Sequence, residues 1–99
     1  MAVLETFDPA YTRGQTISVT STSAPITIGL GTKSLCLTNL GTTACYVRVS
    51  TGTVAATAAD YPVLGGSQVT ITKGQDMDTV SAVTASGTTS LHVIPGEGF

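Results

Sequence analysis

His92 is the only histidine in the chain, and imidazole is the side chain whose ordinary pKa lies nearest neutrality. It is the natural first candidate for acid–base chemistry. A Ser-His-Asp set would need a serine to deprotonate and a carboxylate to orient the ring, and Ser67 and Asp60 are available. No Gly-x-Ser-x-Gly turn leads into a helix to hold such a serine, so the three residues form no recognisable pattern. On its strand His92 alternates with Leu91 and Val93, which makes it a surface or interface side chain. Asp76 and Asp78 flank a single residue and could give two oxygens to calcium, but a calcium loop needs more ligands at fixed spacing. Gly65-Gly66-Ser67 lacks the lysine and following helix of a phosphate loop. Cys36 and Cys45 are not spaced as Cys-x-x-Cys, and two cysteines without secretory context read as free thiols. There is no Asn-x-Ser/Thr site. The residues therefore read as those of a non-enzymatic chain with no cofactor and no metal.

The elements that would position these residues are strands. In residues 33–50, Leu35 and Leu37 alternate before a short turn, and Cys45, Val47 and Val49 alternate after it. Period two marks a half-buried strand. Asn39-Leu40-Gly41-Thr42 supplies turn chemistry, since glycine accepts positive φ and asparagine tolerates it. The pattern predicts a central β-hairpin with Leu37 opposite Cys45, Leu35 opposite Val47 and Cys36 opposite Tyr46. The two cysteines then face opposite sides, out of disulfide reach.

Gly14–Ser21 alternates through Ile17 and Val19; Ile26, Ile28 and Leu30 follow the Ala24-Pro25 turn. Residues 52–62 are a small-residue loop with at most one helical turn. Gln68–Lys73, Met77–Thr84 and Thr88–Ile94 complete the set, and Pro95 should end the sheet because it cannot donate to a ladder. About seven short strands separated by turn residues predict an all-β fold, a small antiparallel β-sandwich or barrel.

Ninety-nine residues make one domain. Only 10% are charged, the net charge is -2, and the four cationic residues are scattered, so nothing points to nucleic acid or an anionic membrane. Tryptophan is absent and aromatics are few, which disfavours a stacking platform. Abundant threonine and serine with few charges gives a polar surface that desolvates cheaply, suited to repeated contact with neighbours. Residues 1–13 break the strand pattern: Val3, Leu4, Phe7 and Tyr11 surround Pro9. They read as an extended N-terminal arm on a β-sandwich domain of residues 14–99, able to cover an edge or reach a neighbouring subunit. Glu5 interrupts the first apolar residues, so they do not read as a signal peptide.

The run Leu37-Thr38-Asn39-Leu40-Gly41, followed by Cys45-Tyr46-Val47-Arg48, resembles the hairpin of small tailed-bacteriophage virion proteins. Ala55–Pro62 before Gly66-Ser67-Gln68-Val69-Thr70-Ile71 is similar to the same family, as is Ser90–Gly98. The resemblance spans about residues 14–98 and contains no catalytic signature. It implies a structural protein of the virion, assembled in the host cytoplasm, as a homo-oligomer bound to the major capsid protein or other virion subunits. Capsid decoration (a cement protein) is the first expectation and a neck or tail subunit the second. A carbohydrate-binding or host-attachment module is a third, served by few aromatics. Val3, Leu4, Phe7 and Tyr11 are the expected partner-binding residues.

Overall fold

The computed structural model describes residues 7–29 and 31–97. Nine strands lie among them: β1 (Asp8–Pro9), β2 (Gln15–Val19), β3 (Ala24–Thr27), β4 (Ser34–Asn39), β5 (Cys45–Ser50), β6 (Tyr61–Val63), β7 (Gln68–Thr72), β8 (Thr79–Val83) and β9 (Thr89–Glu97). They form two antiparallel sheets. Sheet A runs β9-β4-β7, with β1 and β2 sharing the outer side of the long β9; sheet B runs β3-β8-β5-β6. The expected β-sandwich is the fold observed.

The central hairpin is not. β4 pairs with β7 and β9, and β5 pairs with β6 and β8, so residues 40–44 carry the chain from one sheet to the other. The alternation that suggested a hairpin is the inward face of two separate strands. Leu35 and Leu37 point into the sandwich from sheet A, and Cys45 and Val47 point into it from sheet B. A period-two pattern fixes which residues face inward but not which strand lies alongside. The two cysteines do face opposite ways, but from different sheets: Cys45 is in the core, while Cys36 faces away from it beside Thr70 and Ile94. Both thiols are free and buried.

Two prolines also departed from expectation. Pro95 does not end the sheet, because β9 continues through it to Glu97. Ala10 N–H donates to Pro95 O at 2.8 Å, so residue 95 turns its main chain towards the β1–β2 side. The register that pairs Pro9 with Gly96 sets Ala10 opposite Pro95, and the Ala10 carbonyl that would face an N–H at residue 95 accepts from Arg13 N–H at 3.1 Å instead. Pro25, read as a turn, sits inside β3. Ile28 N–H bonds Asp78 O and the register pairs Ala24 with Ala82. Even-numbered residues of β3 thus face β8, and Pro25 faces the open edge, where a missing donor costs nothing.

The core comprises Ile17, Val19, Ile28, Leu35, Leu37, Cys45, Val47, Val63, Val80, Ala82, Leu91 and Val93. Burial of aliphatic side chains at about 25 cal/mol per Å² is the main stabilising term. The outward side chains of β8, Thr79, Ser81 and Val83, are buried as well. They lie under residues 51–60, which leave β5, reach Ser23 at the β3 edge through an Ala56 N–H to Ser23 Oγ bond of 2.9 Å, and return to β6.

Candidate functional site

One end of the sandwich carries no charge. β4 runs from Ser34 to Asn39, and β7, β9 and β2 are registered against it. At the Asn39 end lie the loops 20–23, 40–44, 64–67 and 84–88. Their sequences are Thr-Ser-Thr-Ser, Leu-Gly-Thr-Thr-Ala, Leu-Gly-Gly-Ser and Thr-Ala-Ser-Gly-Thr, without one charged residue. Leu40 and Leu64 stand out from this end at 62% and 64% exposure.

Beneath those leucines the loops are locked together. Asn39, the last residue of β4, is buried. Its Nδ2 donates to Thr43 O at 2.8 Å and to Val63 O at 3.1 Å. Its Oδ1 accepts from Thr89 Oγ1 at 2.6 Å and from Gly41 N–H at 3.1 Å. One amide thus ties both sheets and three connections. Neither Asn39 nor Gly41 has positive φ, contrary to the turn chemistry expected of them. Gly41 is required by close approach instead, since a Cβ there would collide with the Thr89 side chain, and Gly65 likewise lies against the Thr42 main chain.

The opposite end holds Arg13, Lys33, Lys73, Asp76, Asp78 and Glu97. Arg13 Nη2 donates to Ile28 O at 2.7 Å. Lys73 follows β7 with its side chain turned inward, 5% exposed. Its Nζ donates to Met77 O at 2.9 Å and Gly74 O at 3.2 Å. Burial pushes its pKa down, Arg13 adds to the effect, and Glu97, Asp76 and Asp78 oppose it. The Gly52 N–H and Thr79 hydroxyl bonded to Asp78 Oδ1 hold that carboxyl below its usual range.

A pH prediction follows from Lys73. With its folded pKa depressed, the unfolded chain binds more protons up to the ordinary lysine value of about 10.4, and there stability rises with pH. Cys45 acts in the other sense. Burial raises its thiol pKa, so the unfolded chain loses that proton first and stability falls as pH rises. Lys73→Met removes only the rising contribution. The wild-type unfolding free energy minus that of Lys73→Met should therefore grow between pH 7 and 10.5, as read by urea titration. A difference independent of pH would show that Lys73 is not desolvated.

The residues proposed for chemistry lie apart. His92 is half-buried on the outer face of sheet A, 3.4 Å from Thr16 Oγ1. Ser67 Oγ donates to Leu64 O at the uncharged end. Asp60 accepts from Thr57 N–H and faces Arg48 at 3.8 Å beside sheet B. Gly65 and Gly66 form the β6–β7 turn, and Gly66 N–H is bonded to Asn39 O. No group of three or more metal-ligating side chains occurs among the described residues. Of the expected partner-binding residues, Val3 and Leu4 lie outside the described residues, Phe7 is half-buried, and Tyr11 is 76% exposed. Residues 8–9 pair with β9, and Ala10 and Arg13 are hydrogen-bonded to the domain. Sequence reasoning missed Leu40 and Leu64 as a surface and Asn39 as its support. The signal available was four charge-free loops, but only the topology shows that they share an end.

No protein-family model matches the chain, and no curated protein matches it. A solved protein from Bacillus endospore appendages, described as a novel family of disulfide-linked pili, aligns with a TM-score of 0.52. The alignment covers 95% of this chain and 88% of that one at 20% identity. At that identity the likeness establishes a shared fold.

Proposed function

We propose that the chain is a non-enzymatic structural subunit, present in many copies, that holds its neighbours through its uncharged end. The observation that carries this reading is the pairing of four charge-free loops with the exposed Leu40 and Leu64. Hydroxyl and glycine surface loses little on desolvation compared with charge, and two aliphatic side chains gain by being covered. The rigid Asn39 and glycine contacts beneath them limit the entropy lost when a partner binds.

Within this class, the strand and turn resemblance supports a tailed-phage particle, with capsid decoration before a neck or tail position. The appendage protein of similar fold supports the structural reading in a second setting, a fibre. A disulfide linkage of the kind named for those pili would have to use Cys36, the cysteine outside the core, and it is buried.

The test is the copy number of this chain in purified particles relative to the major capsid protein, for wild type and for Leu40→Ser/Leu64→Ser. The wild type should approach the capsid protein's number, and the variant, folded with an unchanged circular dichroism spectrum, should be lost from particles. Absence of the wild type from particles would refute the virion placement. Normal incorporation of the variant would refute the role of the uncharged end.

A further inference from the structure

The two sheets treat their edges differently. Sheet B ends in β3 and β6, of four and three residues, and each contains a proline, Pro25 or Pro62. Proline and short length are the usual protections of an edge strand. Sheet A is closed at the far end of β9 by the two-residue β1, which carries Asp8 and Pro9, and its long edges are β7 (Gln-Val-Thr-Ile-Thr) on one side and β2 (Gln-Thr-Ile-Ser-Val) on the other. Each has five residues, with no proline, glycine or charge.

The free groups of these edges can be identified. Lys73 N–H bonds Lys33 O, and Asn39 N–H bonds Ser67 O. In an antiparallel ladder alternate residues turn both main-chain groups to the same side. Residues 67, 69, 71 and 73 therefore face β4, and Gln68, Thr70 and Thr72 face outward. On β9, Leu40 N–H bonds Ser90 O and Ala10 N–H bonds Pro95 O, so its odd residues face β2. The register Gln15–Val93, Ile17–Leu91 and Val19–Thr89 then leaves Thr16 and Ser18 facing outward. No main-chain hydrogen bond reaches any of these five residues on that side among the described residues.

We infer that β7 of one copy pairs with β2 of the next, extending sheet A from subunit to subunit; this rests on the reading of the chain as a repeating structural subunit. Direction supports a second copy as the occupant. Every neighbour in β2-β9-β4-β7 is antiparallel, so β7 runs opposite to β2, and copies in one orientation bring the two together as an antiparallel pair. The faces match as well. Val69 and Ile71, half-buried at the edge, meet the inward Ile17 and Val19, while Thr70 and Thr72 meet Thr16 and Ser18 in favourable cross-strand pairs. Tyr61, on the same side of the sandwich as β7, is 46% exposed and would be covered. Two different edges make the contact heterologous, so it propagates into a ring or an open helical array.

The experiment uses Thr70→Pro and Ser18→Pro, each of which deletes an outward donor and no existing ladder bond. Assembly is followed by light scattering and electron microscopy, and folding by hydrogen exchange of the β4 and β9 amides. Wild type should assemble with rising concentration. Each variant should remain folded and need roughly tenfold or more protein to assemble. Mixed together they should stop at a one-to-one dimer, since Thr70→Pro keeps the β2 edge and Ser18→Pro keeps β7. Wild-type assembly by both variants would overturn the seam. So would a wild-type chain that stays monomeric, although incorporation into particles through Leu40 and Leu64 would then still stand or fall by its own copy number.

Discussion

Asn39→Ala is expected to destabilise the domain by about 3–5 kcal/mol, since each buried group left without its partner costs roughly 1–3 kcal/mol. The substitution strands the Thr89 hydroxyl in buried surroundings, takes from Val63 O the bond it accepts beside its ladder partner Cys45, and leaves Thr43 O and Gly41 N–H short of a partner in partly buried ones. Set against a total stability of about 5–15 kcal/mol for a domain, that is enough to unfold a large fraction of the chain at 37 °C. Asn39→Asp is the informative companion. It keeps the acceptor for Thr89 and Gly41 but turns a second oxygen towards the Thr43 and Val63 carbonyls. It should therefore fail to rescue near neutral pH and recover stability as acid protonates it. Urea unfolding of both variants checks this, and an Asn39→Ala loss below about 1 kcal/mol would show that the clamp is dispensable.

The second large effect belongs to Gly65→Ala, at about 2–4 kcal/mol, in the upper range for an overpacked site. A Cβ at residue 65 would fall inside contact distance of the Thr42 carbonyl carbon and oxygen. That neighbour is main chain, pinned through Thr43 O to Asn39, and cannot rotate aside as a side chain could. Gly52→Ala provides the contrast. Gly52 has φ +73° but open space around its missing Cβ, so its loss should be only the left-handed strain of about 1–2 kcal/mol. Conformation alone would rank the two glycines the other way. Equal effects in thermal or urea unfolding would show that the 40–44 and 64–67 loops yield to each other.

The inward faces were legible in the sequence because burial imposes period two. The spacing puts Ile17 with Val19, Leu35 with Leu37, and Leu91 with Val93 each on one face, and each pair lies in the core. Strand partners were not legible. Leu37 and Cys45 both point inward, and nothing in their spacing says that they do so from opposite sheets. β6 was hidden by Pro62 at its centre, and the extension of β9 was hidden by Pro95. In both cases a proline's effect depended on what lay beside it, which is a property of topology. The uncharged end was concealed for the same reason, as its loops are spread from residue 20 to residue 88.

The place of β9 has a consequence for how the chain is made. β9, the last strand among the described residues, is central to its sheet, with β1 and β2 on one side and β4 on the other. During synthesis β2 and β4 must therefore wait, unpaired with each other, until residues 89–97 have left the ribosome. Sheet A closes only through contacts between residues 8–19 and 89–97, far apart in sequence, the kind that place all-β domains in the millisecond-to-second range of folding. Until then the same uncharged strands that remain open at the edges of the finished sheet are exposed along with its centre, and nascent chains on one message are each other's nearest alternative partners.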